Sequence, residues 1–247
     1  PEQRAWHALM DSRREAWEAM VPALSVDYAP ATAPAEVSIL VGNRGSDDAW
    51  TAGPARICFD LAALQENYGD ANTAENSARI DRFFRHEFTH ILQKAWLVDH
   101  PAKMDTPTER ALFEMWAEGL GNRESLSSKW IDAEGKPTET AREALDALGP
   151  KMLERIQALR CATPAQEREL TRDLSSGRFD RKWGALPVAL WLAQQEAREP
   201  GYTRKFVARG PDAVYFLMGT YLPEAQRDEM IRWGATADPK CRDQPER

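Results

Sequence analysis

Five consecutive residues have the types and spacing for hydrolytic chemistry: His86-Glu87-Phe88-Thr89-His90. They follow the pattern H-E-x-x-H. On a helix, residues four apart share one face, one turn above the other. Two imidazoles so placed can converge on one cation. Zinc takes nitrogen ligands at about 2.0–2.1 Å and, in catalytic sites, keeps one position open for water. Glu87 follows the first histidine and projects beside the metal, where a carboxylate can take a proton from activated water. The spacing points to a Zn2+ hydrolase with His86 and His90 as ligands and Glu87 as general base.

The flanks must form a helix for this to hold. Phe83, Phe84, Phe88, Ile91, Leu92, Ala95 and Trp96 are apolar and suit a helix packed on most sides. Burying two histidines, Glu87 and Arg85 among them is costly without partners, and a metal accounts for the histidines. A chance match to the pattern in a chain of this length is on the order of one in a hundred. The chain holds 4 histidines, and two are used here. The plain alternative is a core helix with two hydrogen-bonded histidines.

The surrounding elements follow from periodicity and punctuation. Glu2 to Val21 has helical, amphipathic spacing, with Pro22 as its end. Residues 36–41 and 55–60 read as strands, with a polar loop over 42–53 between them. The metal helix starts at Asn72 or Thr73, either of which can cap it, and runs to about Val98. Asp99-His100-Pro101 breaks it, and His100 is a loop residue. Thr106-Pro107 opens the next helix, which runs through Gly121. Helices follow over 139–148, 150–159, 164–174, 186–198, 213–222 and 223–233.

The expected fold is α+β and mostly helical. A small antiparallel sheet near the N-terminus packs on the H-E-x-x-H helix, and a helical C-terminal half follows. One domain spans 1–247, with sheet and metal helix over 1–105 and the helical part over 106–247. A sheet edge could bind an extended peptide by strand addition, and a plain sheet without ligand fits as well.

Composition narrows the function classes. The chain has 247 residues, 43% apolar and 29% charged, with a net charge of −7. That is ordinary for a globular protein and argues against nucleic acid as the main partner. No apolar run approaches the roughly 20 residues that span a bilayer, so no transmembrane segment is expected. The start, Pro1-Glu2-Gln3, fits a mature exported protein, a trimmed chain or methionine removal before proline alike. An exported or periplasmic location is the expectation and a cytoplasmic one the alternative. The 3 cysteines, Cys58, Cys161 and Cys241, lack zinc-knuckle spacing. Cys58 reads as a buried small hydrophobe. Cys161 and Cys241 could pair and pin the tail, or stay apart.

Two histidines do not close a catalytic zinc site. The metzincin completion needs glycine three residues after the second histidine and histidine six after it. Gln93 and Trp96 stand there, which excludes it. A glutamate on the next helix is the natural third ligand, and Glu114 and Glu118 lie there one turn apart.

With H-E-x-x-H followed by Trp116-Ala117-Glu118-Gly119, the chain resembles the gluzincins, the thermolysin- and aminopeptidase-N-like zinc metallopeptidases, and within them a set of uncharacterised bacterial zinc proteases. The resemblance covers roughly residues 80–122, and more faintly 211–222. It implies Glu118 as third ligand, 28 residues after His90. The Trp–Glu spacing is one residue shorter than in the aminopeptidase-like branch. Glu114 or Asn122 would then orient a histidine. It further implies a tyrosine for the oxyanion. Tyr215, in Tyr215-Phe216-Leu217-Met218-Gly219-Thr220-Tyr221, is the first candidate, with Tyr221 and Tyr202 behind it. The G-x-M-E-N-type segment that grips a substrate's free amine in aminopeptidases is missing before His86, which favours an endopeptidase acting on a peptide or protein substrate. Two further readings stand beside this one. The first is a non-catalytic binding or interaction protein on a gluzincin-like scaffold. The second is a helical interaction domain with an accidental motif.

Overall fold

A computed structural model describes residues 2–43, 47–224 and 226. The protein is mostly helical, with a small three-stranded mixed sheet near the N-terminus and a helical C-terminal half. The chain forms two compact units, Pro1–His100 and Pro101–Arg247. Among the described residues no helix is long and apolar enough to cross a membrane.

The first unit opens with α1 (Glu2–Ser12) and α2 (Arg14–Ser25). The sequence reads these as one helix ending at Pro22. The structure instead breaks at Arg13 and carries Pro22 inside α2. Arg13 is held in place: its guanidinium donates to both Asp81 carboxylate oxygens at 3.0 and 2.7 Å. The Trp17 indole N–H donates to the same carboxylate at 2.8 Å. A proline removes one helical hydrogen bond. The packing of Trp17 and Leu24 on either side keeps the helix going to Ser25.

The sheet comprises β1 (Ser38–Gly42), β2 (Ala49–Thr51) and β3 (Arg56–Asp60), in the order β1-β3-β2. It is mixed rather than antiparallel. The two strands legible in the sequence, β1 and β3, pair in parallel, with Ser38 opposite Arg56. The antiparallel pair is made by β2, inside the expected loop. Asp60 then caps α3 (Leu61–Tyr68), accepting from the Ala62 and Ala63 amides at 2.8 and 3.0 Å. That helix is not legible as one in the sequence.

The central helix is α4 (Ala74–Asp99), 26 residues long. Thr73 caps it, accepting from the Asn76 amide at 3.0 Å. The Asn76 side-chain amide donates to the Asp70 carbonyl at 2.7 Å and so fixes the entering loop. The helix packs across β2 and β3. Its inner face adds Phe84 and Phe88 to an aromatic column. Ring centroids lie 4.9 Å apart for Trp17–Phe84, 5.5 Å for Phe84–Phe88 and 5.8 Å for Trp17–Phe59. Stacking of this kind adds about 0.5–1.5 kcal/mol per pair beyond area burial. Cys58 is buried in β3, as its apolar setting implies. His100 follows the helix and stacks on Trp96.

The second unit contains α5 (Pro107–Ser125), α6 (Glu139–Leu159), α7 (Pro164–Leu170), α8 (Ala185–Arg198), α9 (Tyr202–Arg209) and α10 (Ala213–Tyr221). Thr106 and Glu109 form a complete capping box at the start of α5. The two helices expected over 139–148 and 150–159 are one. Pro150 lies inside it, flanked by buried Leu148, Met152 and Leu153. Helix α9 was not expected. Glu196 on α8 builds its start, accepting from the Gly201 amide at 2.7 Å and from the Thr203 amide and hydroxyl at 2.8 Å each. The principal contact of the unit is α5 on α8. The backbones meet closely at Gly119, where a Cβ would lie 2.3 Å from Val188 Cγ1. The helix expected over 223–233 and the Cys161–Cys241 pairing involve residues outside those described.

Candidate metal centre

His86 and His90 lie one turn apart on α4, as the spacing requires. Their Nε2 atoms are 3.1 Å apart. The rings stand edge to face, at 80° with centroids 4.8 Å apart. Two nitrogens at that separation can both sit about 2.0–2.1 Å from one cation. His90 is also held from behind: its Nδ1 lies 2.8 Å from the Gln93 side-chain oxygen. With Nδ1–H donating there, the Nε2 lone pair is left for a metal. Gln93 is 3% exposed, so this partner is fixed by packing.

Gln93 is the partner of His90 that sequence reasoning missed. Its position served only to exclude one family. Its place three residues after His90, on the same helical face, was the signal available.

Glu87 is 7% exposed, and Phe88 and Thr89 beside it are buried. A carboxylate this deep is costly to keep charged without partners. Two turns further along α4, Lys94 donates to the Thr51 hydroxyl and the Gly53 carbonyl, both at 3.0 Å. Burial lowers the Lys94 pKa, and the negative charge of Glu87 opposes that shift. The helix therefore carries a cation on the turn beyond the histidines, anchored to the β2–β3 connection.

In the second unit, Glu114 and Glu118 lie one turn apart on α5, both half-buried. The two carboxylates differ in surroundings. The Ser175 hydroxyl donates to Glu114. Burial pushes the Glu114 carboxyl above its ordinary value; the Ser175 bond opposes this and the charge of Glu118 adds to it. Asn122, a turn beyond Glu118, is 1% exposed, and its side-chain nitrogen has no hydrogen-bond partner among the described residues.

The tyrosines separate clearly. The Tyr221 hydroxyl lies 3.3 Å from the Trp191 carbonyl and 3.1 Å from the Gln195 side-chain oxygen, and its ring stacks on Trp191. Burial pushes its pKa up to about 12. It is committed to α8. Tyr202 is half-buried at the start of α9, and burial raises its pKa. Tyr215 is buried on α10 at 4% exposure.

The structure thus brings His86, Glu87 and His90 together on α4 and adds Gln93 to them. It sets Glu114 and Glu118 side by side on α5. Compared with known proteins, the chain matches no family model, no curated protein and no solved structure.

Proposed function

We propose that the protein is a zinc-dependent peptide hydrolase of gluzincin type, with an internal peptide bond as its substrate. The observation that carries the reading is the 3.1 Å approach of the His86 and His90 Nε2 atoms beside a buried Glu87. The proposed metal ligands are His86 and His90, with Glu118 as the third that the resemblance implies. Two imidazoles and a carboxylate suit zinc, and the ligand set leaves a position for substrate or water. Of the two glutamates, the resemblance favours Glu118, and burial, which favours the protonated form of Glu114, works against Glu114 as a donor.

Zinc, when bound, lowers the pKa of water and polarises a carbonyl. The chain's own residues do the rest. Gln93 holds His90 in the tautomer that presents Nε2. Glu87 takes the proton of the attacking water and returns it to the leaving amine. Tyr215 donates its hydroxyl hydrogen to the developing oxyanion.

The test is Glu87→Gln, assayed on an unstructured protein substrate beside elemental analysis. The variant is expected to keep one zinc per chain and to lose hydrolysis by at least a hundredfold. Undiminished cleavage would overturn the mechanism. A parent protein that holds no zinc, with its ligands intact, would favour the non-catalytic binding alternative.

A further inference from the structure

The first unit contains a feature that the proposed chemistry does not use. A cleft of about 730 Å³ lies between α1, α2 and β1. Phe84 and Phe88 of α4 line it. On a helix a two-residue step is a rotation of about 200°, so these side chains face away from His86 and His90. The cleft is therefore a separate place on the molecule.

One wall of the cleft is an open strand edge. The Ser38 amide donates to the Ala55 carbonyl at 3.0 Å, with Ser38 opposite Arg56. In a parallel ladder both backbone groups of a residue point the same way, alternating along the strand. Ser38, Leu40 and Gly42 thus bond to β3. Ile39 and Val41 turn their N–H and C=O groups to the open side. An uncovered edge is normally blunted by charge, proline or a bulge. β1 reads Ser-Ile-Leu-Val-Gly and has no such device.

The lining fits an extended chain of one character. The floor is apolar, with Met10, Trp17, Val21 and the two phenylalanines. The charged rim is acidic on balance: Asp11, Glu18 and Glu36 stand against Arg14 and His7. The His7 imidazole lies 3.1 Å from Asp11 and offsets part of that charge only when protonated. A second copy paired edge to edge would bring two sets of these carboxylates together, which is unfavourable. The volume falls within the roughly 300–1,000 Å³ of ligand clefts.

We infer that the open edge of β1 docks an extended segment of a partner protein by strand addition, with apolar side chains in the cleft and lysine or arginine on its rim. Main-chain bonds to Ile39 and Val41 supply affinity; the apolar floor and acidic rim supply selectivity. This inference does not depend on zinc or on hydrolysis.

The probe is a dye-labelled, end-capped octapeptide alternating lysine and valine, followed by fluorescence anisotropy with the full chain. Comparators are its N-methylated form and a glutamate–valine peptide. The lysine–valine peptide is expected to bind at least tenfold more tightly than either, and to slow amide hydrogen exchange at Ile39 and Val41. Val41→Pro removes one outward N–H without touching the β3 ladder, and should weaken binding at least tenfold. Should that variant fail to fold, the exposed pair Glu18→Lys and Glu36→Lys should reverse the preference toward the glutamate–valine peptide. Equal binding of the N-methylated peptide, unchanged exchange at Ile39 and Val41, or no binding at millimolar peptide would overturn the proposal. A dimer in sedimentation that Val41→Pro dissolves would also overturn it, and would assign the edge to a second copy.

Discussion

Glu114 and Glu118 are alike in type, helix and exposure, and their neighbours alone tell them apart. Glu114 accepts from Ser175 and sits where burial favours its protonated form. A metal ligand must be deprotonated, so this environment works against Glu114 as a donor. Glu118→Ala is expected to lower zinc affinity by well over a hundredfold, and Glu114→Gln by about ten- to a hundredfold at most, the usual scale for outer partners. Competition with a chromophoric chelator separates the two. Gln93 teaches a related lesson. The pattern H-E-x-x-H names ligands, while the residue that sets a ligand's tautomer carries no letter of its own. Its three-residue spacing from His90 hints at the role, and the 2.8 Å contact to His90 shows the partner.

Element by element, what the sequence reveals depends on whether a signal is local. Thr106-Pro107 with Glu109 announces α5 because cap, proline and box all act within four residues. Thr73 does the same for α4. Strand β2 is three residues long and gains its identity only by pairing with β3, so no periodicity can show it. Pro22 and Pro150 read as breaks by local rules, and tertiary packing overrides them. Helix α9 starts at a glycine without a side-chain cap, because its cap arrives from Glu196 on another helix.

Glu196 also makes stability depend on pH. Burial alone would raise its pKa, but the Gly201 and Thr203 amides and the Thr203 hydroxyl outweigh it and hold the carboxyl below its ordinary value. A depressed folded value means stabilisation that is fully present above the unfolded value, about 4.3 for glutamate, and lost as pH falls through the lowered one. Glu196→Gln is expected to cost about 1–2 kcal/mol at pH 7. That difference should shrink as the pH is taken below about 4. Urea midpoints along a pH series measure it. The α5–α8 contact has a steric counterpart. Gly119→Ala would place a Cβ 2.3 Å from Val188 Cγ1 and 2.7 Å from its Cβ. The expected cost is about 1–3 kcal/mol. Val188→Ala in the same chain should recover part of it, as a double-mutant cycle in urea would show.

At the scale of the whole molecule, the proposed zinc would be linked to folding. A ligand that binds only the folded chain at a hundred times its Kd adds about 2.7 kcal/mol. In a protein of this size that raises Tm by roughly 5–10 °C. Chelator treatment should remove the gain, Glu87→Gln should retain it and Glu118→Ala should lose it, all readable by scanning calorimetry.

The close meeting at Gly119 has a consequence for descent. This glycine directly follows Glu118 and so looks like part of a metal-binding signature. Its reason for being there is Val188, on another helix. If the proposed chemistry holds, drift in lineages that abandon it should erase the histidines and Glu118 first. The glycine should persist for as long as a β-branched residue faces it, and the two positions should change together when they change at all.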